Sequence, residues 1–181
     1  MLNKNTVNPH ALSWQTIAFH WLTALMFIAI FSVGWYMVDL PRGPEKGELI
    51  GLHKSFGAIL LVVAMSRITW RLKEGAIPPA AVVAPWQNIL AKAIHGLLML
   101  ATLMMPISGI AMSVGGGRGA DVFGWYFVAE GDKIQWLQEL GGGIHGWSVN
   151  IIIAVVVLHV AGALKHHWLD KDNTLSRMLG R

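Results

Sequence analysis

The sequence contains no cysteine among its 181 residues. Disulfides, iron–sulfur clusters, thiolate zinc sites and covalently attached c-type haem are therefore excluded. Charge is also scarce, because Asp, Glu, Lys and Arg make up only 13% of the chain, about half of what soluble domains carry. The net charge of +4 does not indicate nucleic-acid binding, because the charged residues are scattered at the ends of apolar blocks.

Apolar residues dominate what remains, with 54% of the chain hydrophobic and a mean hydropathy of +0.51. They form four blocks of about 20 residues, the length that a helix needs to cross a bilayer. We therefore predict an all-α integral membrane four-helix bundle that forms a single domain over residues 1–181. The triple glycines at 115–117 and 141–143 are expected to be flexible loop ends. The four predicted spans are residues 17–38, 52–72, 92–114 and 145–166.

The distribution of Lys and Arg orients this bundle. Cytoplasmic loops carry an excess of these residues, and the loop between the second and third spans and the C-terminal tail are the basic segments. The other two loops carry four basic residues together with seven acidic ones. Both termini and the middle loop are therefore predicted to be cytoplasmic, and the first and third loops to lie outside.

Histidines recur at two depths of the predicted bundle. His20 lies near the cytoplasmic side and His53 near the outer side, at the start of the second span. His145 opens the fourth span and His159 follows 14 residues later. Fourteen helical residues cover roughly 21 Å and return to within about 40° of the same face. The sequence therefore predicts an outer pair, His53 with His145, and an inner pair, His20 with His159.

Neutral imidazoles from two different helices are typical axial ligands of haem iron, which exchanges electrons when both axial positions are filled. Two other interpretations stay open at this point. The histidines are either hydrogen-bonded interior residues or part of a proton pathway in a haem-free transporter. Zinc is disfavoured, because no carboxylate lies near these positions within the spans.

Several motifs resemble the bacterial cytochrome b561 family. They are HWL at 20–22, LHKSFG at 52–57, RITWR at 67–71 and HVAGALKHHWLDKDNTLSRM at 159–178. The resemblance covers nearly the whole chain and is strongest to the short four-helix, di-haem type of the inner membrane that acts as superoxide oxidase.

This resemblance implies two b haems with His20, His53, His145 and His159 as axial ligands. It also implies oxidation of superoxide on the periplasmic side and transfer of the electrons to ubiquinone in the membrane. The alternative within the family is an electron-transfer subunit that links a periplasmic redox partner or dehydrogenase to the quinone pool.

Other polar residues near the span ends are candidates for further roles. Lys54 is a candidate for steering superoxide, and its alternatives are a contact to a haem propionate or an interfacial lysine. His95 and His166 fall at the cytoplasmic level and are candidates for the quinone site, because quinone reduction needs hydrogen-bond donors and protons. Arg67 and Arg71 are expected to anchor the second span, or to contact a propionate or the quinone.

Overall fold

Four long helices make up most of the protein. The computed structural model describes residues 12–75, 77, 80 and 83–181. Each long helix has the length and apolar composition needed to cross a bilayer. The predicted all-α membrane four-helix bundle is thereby confirmed, and the assignment of its two ends to the two membrane faces stays a prediction. The helices are α1 Trp14–Val38, α2 Pro44–Glu74, α3 Pro85–Gly115 and α4 Gln135–Lys165.

The helices are longer than the apolar blocks from which they were predicted. Pro44 and Pro85 occupy the first positions of α2 and α3, where the missing N–H of proline has no helical partner to lose. α4 begins at Gln135, ten residues before the fourth span that was predicted over residues 145–166, and the bounds of the spans within the membrane stay a prediction. The glycines 141–143 therefore lie inside α4 and not at a flexible loop end, which corrects that expectation.

The close contact between α3 and α4 explains why these helices contain glycines. A Cβ atom built on Gly141 would lie 2.5 Å from the backbone nitrogen of Met112, and one on Gly115 would lie 2.3 Å from that of Gln138. Only a residue without a side chain permits backbones to approach this closely. α3 and α4 are consequently the most intimately packed pair of helices.

The segment between α3 and α4 contains a short β-hairpin that the sequence analysis did not predict. Strand β1 (Ala120–Val122) pairs antiparallel with β2 (Trp125–Val128). Phe123 and Gly124 connect them with positive φ angles of 51° and 85°, the conformation of a tight two-residue hairpin turn. The turn docks on α2, where the Phe123 N–H donates to Ser55 Oγ at 2.8 Å. The Phe123 ring meets the Phe56 ring edge-on, with centroids 5.4 Å apart.

The packing leaves space between α4 and the first two helices. α1 packs on α2, α2 on α3, and α3 on α4, whereas in the described part of the chain α1 and α2 do not pack closely along α4. The buried apolar side chains are few, and many large apolar ones are exposed, as expected for helices that face lipid. The interior between α1, α2 and α4 is the region into which the histidines project.

The C-terminal tail returns to the start of α1. A π-helical segment (His166–Asp170) extends α4, and a short helix α5 (Thr174–Met178) follows. The Trp21 indole N–H donates to the carbonyl oxygen of Met178 at 2.8 Å. This contact places the C-terminus at the same end of the bundle as the start of α1, in agreement with an even number of spans.

Candidate functional site

The outer histidine pair joins α2 to α4. The ring centroids of His53 and His145 lie 6.1 Å apart. Nδ1 of His53 lies 3.1 Å from the carbonyl oxygen of Ile30, and Nδ1 of His145 lies 3.1 Å from that of Met105. A carbonyl oxygen can only accept, so these contacts favour the tautomer with the proton on Nδ1. Ser108 Oγ, 3.1 Å from Nδ1 of His145, donates to the Met105 carbonyl and can accept from the same nitrogen. This tautomer leaves the lone pair of each Nε2 available to a metal ion.

The inner pair joins α1 to α4. The ring centroids of His20 and His159 lie 6.2 Å apart, and Trp21 contacts His20 edge-on at 5.3 Å. The structure thus brings together the two pairs that depth and helical phase predict. That the four residues are axial ligands stays a prediction.

The geometry of both pairs fits two axial ligands of one iron. An imidazole nitrogen binds a transition metal at about 2 Å, and its ring centroid lies about 1 Å further back, so two axial rings have centroids about 6 Å apart. The observed separations of 6.1 and 6.2 Å agree with this requirement. Since α1 and α2 also stand off from α4, the residues present fit a planar haem at each level.

His95 offers a competing partner for His159, and the ring separation favours His20 over it as the second ligand. Its ring centroid lies 5.2 Å from that of His159, with the rings edge-on at 74°. This separation is shorter than the roughly 6 Å that two rings need on one metal ion. His95 therefore contacts an inner ligand candidate and lies at the same level, where a quinone-site role remains a prediction.

The 14-residue spacing of His145 and His159 recurs on the other three helices. Counting 14 residues from His20, His53 and His95 leads to Gly34, Arg67 and Gly109. Because 14 residues return to nearly the same helical face, each helix contributes one residue to an inner layer and one to an outer layer. The inner layer is His20, Arg67, His95 and His159, and the outer layer is Gly34, His53, Gly109 and His145.

The two glycines of the outer layer make room for the outer histidines. A Cβ atom on Gly34 would lie 2.9 Å from Cε1 of His53, and one on Gly109 would lie 3.3 Å from Cε1 of His145. The absence of both side chains lets the imidazoles reach their positions. Gly34 was not assigned to the site from the sequence, although its 14-residue spacing from His20 is a signal that identifies it.

Lys54 points to the hairpin. Its ammonium pairs with the Asp121 carboxylate at 3.0 Å. The hydrogen bond from Lys54, with a second from the Gly124 N–H, lowers the pKa of Asp121 below its usual value. The charge of Lys54 is thus compensated directly beside His53, and its candidate role in steering superoxide has to be exerted at short range.

His166 contacts carboxylates of the C-terminal tail. Its Nδ1 lies 2.6 Å from Asp172 Oδ2 and 3.2 Å from Asp170 Oδ2. Burial opposes ionisation of Asp172, but hydrogen bonds from Thr174 and His166 outweigh it and lower the pKa of that carboxyl. His166 follows His159 by seven residues, about two helical turns, so this quinone-site candidate lies nearer the end of the bundle than His95.

Comparison with known proteins agrees with the site. The profile of the family described as prokaryotic cytochrome b561 matches residues 11–181. Cytochrome b561 homolog 2 of Escherichia coli (strain K12) is 33% identical over 97% of this chain and 95% of its own length. Cytochrome b561 homolog 1 of the same organism is 31% identical over 91% of this chain and 94% of its own length.

The name of a third relative states an enzymatic activity. The probable superoxide oxidase CybB of Yersinia pestis is 30% identical over 90% of this chain and 92% of its own length. The four spans together with these matches make the protein a multi-pass protein of the bacterial inner membrane. The chain belongs to the prokaryotic cytochrome b561 family, whose members transfer electrons in the membrane with b-type haem.

Proposed function

We propose that the protein is a di-haem superoxide:ubiquinone oxidoreductase. The observation that supports it best is the pair of histidine couples at two depths, with centroid separations of 6.1 and 6.2 Å. Superoxide as the donor is supported by the Yersinia pestis relative named a probable superoxide oxidase. The overall reaction takes two superoxide anions, one quinone and two protons to two dioxygen molecules and one quinol.

In this proposal the four histidines hold two haems by their Nε2 atoms. Bound haem supplies one-electron transfer, which the apolar side chains of the bundle cannot perform. The contacts with the Ile30 and Met105 carbonyls restrain the rings of His53 and His145 and favour the tautomer that leaves Nε2 free to bind a metal ion. The hydrocarbon core is about 30 Å thick. A haem at the histidine pair near each surface would divide electron transfer across this distance into shorter steps.

The charges at the outer end of the bundle affect how an anionic electron donor approaches it. Lys54 is the cation adjacent in sequence to His53, and we propose that it guides superoxide over the last few ångströms. Its ion pair with Asp121 makes it part of a dipole with little long-range field. The proposed acceptor site is at the inner layer, where His95 offers a ring beside His159 and His166 lies further toward the cytoplasm.

The test is rapid mixing of purified, oxidised protein with superoxide in the presence of a soluble ubiquinone analogue. We expect haem reduction within the mixing experiment, followed by quinol formation at one quinol per two superoxide anions. Superoxide dismutase in the buffer should abolish both signals. Haem that dithionite reduces but superoxide does not would overturn the superoxide assignment while leaving the protein an electron carrier.

The exposed hairpin favours a second candidate, an electron-transfer subunit that receives electrons from a periplasmic protein. Trp125 is 74% exposed and Phe123 60% exposed on the hairpin that docks beside His53. The two outer loops also carry more acids than bases, which disfavours collection of an anion over long distances. If superoxide does not reduce the haems in the mixing experiment, the electron-transfer subunit becomes the favoured function.

A further inference from the structure

The inner and outer layers differ in their net charge. Arg67 lies 14 residues after His53 on α2, at the level of the inner pair, and it is close enough to interact electrostatically with His20, His95 and His159. Among the described residues no carboxylate lies within ion-pair distance of Arg67. At the outer layer, by contrast, Asp121 compensates Lys54 at 3.0 Å.

A fixed positive charge favours the state of a nearby redox centre that holds one more electron. Its effect is large in an apolar interior, where the effective dielectric constant is low, and the charge around a haem or cluster is one of the determinants of its potential. The inner layer therefore stabilises an added electron more than the outer layer does.

We propose that Arg67 raises the reduction potential of the inner haem above that of the outer haem and thereby directs electrons from the outer side to the cytoplasmic side. This inference rests on the proposed function, because it needs a haem at each histidine pair. The bias has a use in the cell: electrons that move inward travel against a membrane potential that is negative inside. A higher inner potential offsets that opposition.

Pairing of Arg67 with a carboxylate of the bound haem would not change the sign of the effect. In that case the substitution of Arg67 by a neutral residue leaves the carboxylate uncompensated near the iron. Either way the inner layer becomes more negative when Arg67 is neutralised, and the potential of the inner haem falls.

The experiment is an optical redox titration of the purified, haem-loaded protein and three variants. Arg67→Gln should shift one of the two midpoints to lower potential and leave the other in place, while Arg67→Lys should retain most of the wild-type value. Arg71→Gln is the matched control, one turn further along α2. Its guanidinium pairs with Glu74 at 3.7 Å and donates to the Gly75 carbonyl oxygen, so both midpoints should stay unchanged.

A second variant keeps the test decisive if Arg67→Gln fails to hold its inner haem. Arg67→Met also removes the charge while keeping an unbranched side chain, so the midpoint of the inner haem should fall relative to that of Arg67→Lys, which keeps the charge. Two retained haems with unshifted midpoints in Arg67→Gln or in Arg67→Met would overturn the inference. A wild-type protein without two haems would instead overturn the proposed function.

Discussion

At the scale of single residues, the clearest constraint is the contact between Gly34 and His53. An alanine at position 34 would place its Cβ atom 2.9 Å from Cε1 and 3.3 Å from Nδ1 of the imidazole. Contacts under 3.0 Å do not persist, so the ring has to move away from the Ile30 carbonyl oxygen that holds it. The position of His53 is thus determined by a residue on another helix.

We predict that Gly34→Ala lowers the outer haem content and leaves the inner haem in place. Haem per chain, with the reduced spectrum, measures this. Gly47→Ala is the matched control, because this residue is exposed at the start of α2 and a Cβ atom there meets nothing within 4 Å. Equal and full haem content in the two variants would show that His53 has more freedom than the contact implies.

At the scale of elements, the β-hairpin depends on the ionisation of one carboxylate. The Lys54 hydrogen bond, helped by the Gly124 N–H, lowers the pKa of Asp121 in the folded protein. A carboxyl with a lowered folded pKa stabilises docking at full strength above its unfolded pKa of about 4, and the contribution is lost as the pH falls through the folded value.

We therefore expect hairpin docking to be independent of pH from 8 to about 5 and to weaken below about pH 4. Hydrogen exchange of the Phe123 amide, which donates to Ser55 Oγ, reports docking once intrinsic rates are corrected for pH. Asp121→Asn should show weak protection at every pH. Protection in that variant equal to wild type at neutral pH would contradict this role of the ion pair.

The α3–α4 contact gives a second prediction at this scale. Gly141→Ala should destabilise the bundle by about 1–3 kcal/mol, the usual cost of overpacking, because the new Cβ atom meets Met112 N at 2.5 Å and Ser108 O at 2.8 Å. Thermal unfolding in detergent measures the change in Tm. Gly143→Ala in the same helix meets nothing within 4 Å and should not lower the Tm. Equal Tm values for the two variants would contradict the contact.

Elements differed in how far the sequence could predict them. Apolar blocks located all four helices, but hydropathy does not mark helix ends, so α4 began ten residues earlier than predicted. Gly141 and its neighbours were predicted to be loop because glycine weakens isolated helices, whereas close packing against α3 retains them in α4. The hairpin was missed because strands of three and four residues joined by Phe-Gly carry little alternation.

The site was more predictable than the loops, for a geometric reason. A helix converts a spacing in sequence directly into depth and direction, so the pairings of His53 with His145 and of His20 with His159 followed from position alone. Gly34 was not identified, because only ionisable residues were considered for the 14-residue spacing along each helix. The ion pair of Lys54 with Asp121 could not be predicted from the sequence, because it depends on the hairpin, which was itself not predicted.

At the scale of the whole molecule, the orientation follows from the uneven distribution of Lys and Arg. The middle loop and the tail, with the adjoining helix ends, carry eight of these residues against three acids, and the other two loops carry four against seven acids. We expect a C-terminal green fluorescent protein fusion to fluoresce and alkaline phosphatase fused after Asp132 to be active, because the former folds in the cytoplasm and the latter outside it. The reverse pattern would place the Arg67 layer on the outer side and reverse the proposed direction of transfer.

The central claim is that the four histidines bind two haems, one in each layer. The most direct measurement is haem quantified per chain by the pyridine haemochrome spectrum, in the wild type and in His20→Ala and His53→Ala. The account predicts two b haems in the wild type and one in each variant, with different residual spectra, whereas His95→Ala keeps two. No haem in folded wild-type protein, or two haems retained in His20→Ala or His53→Ala, would contradict it.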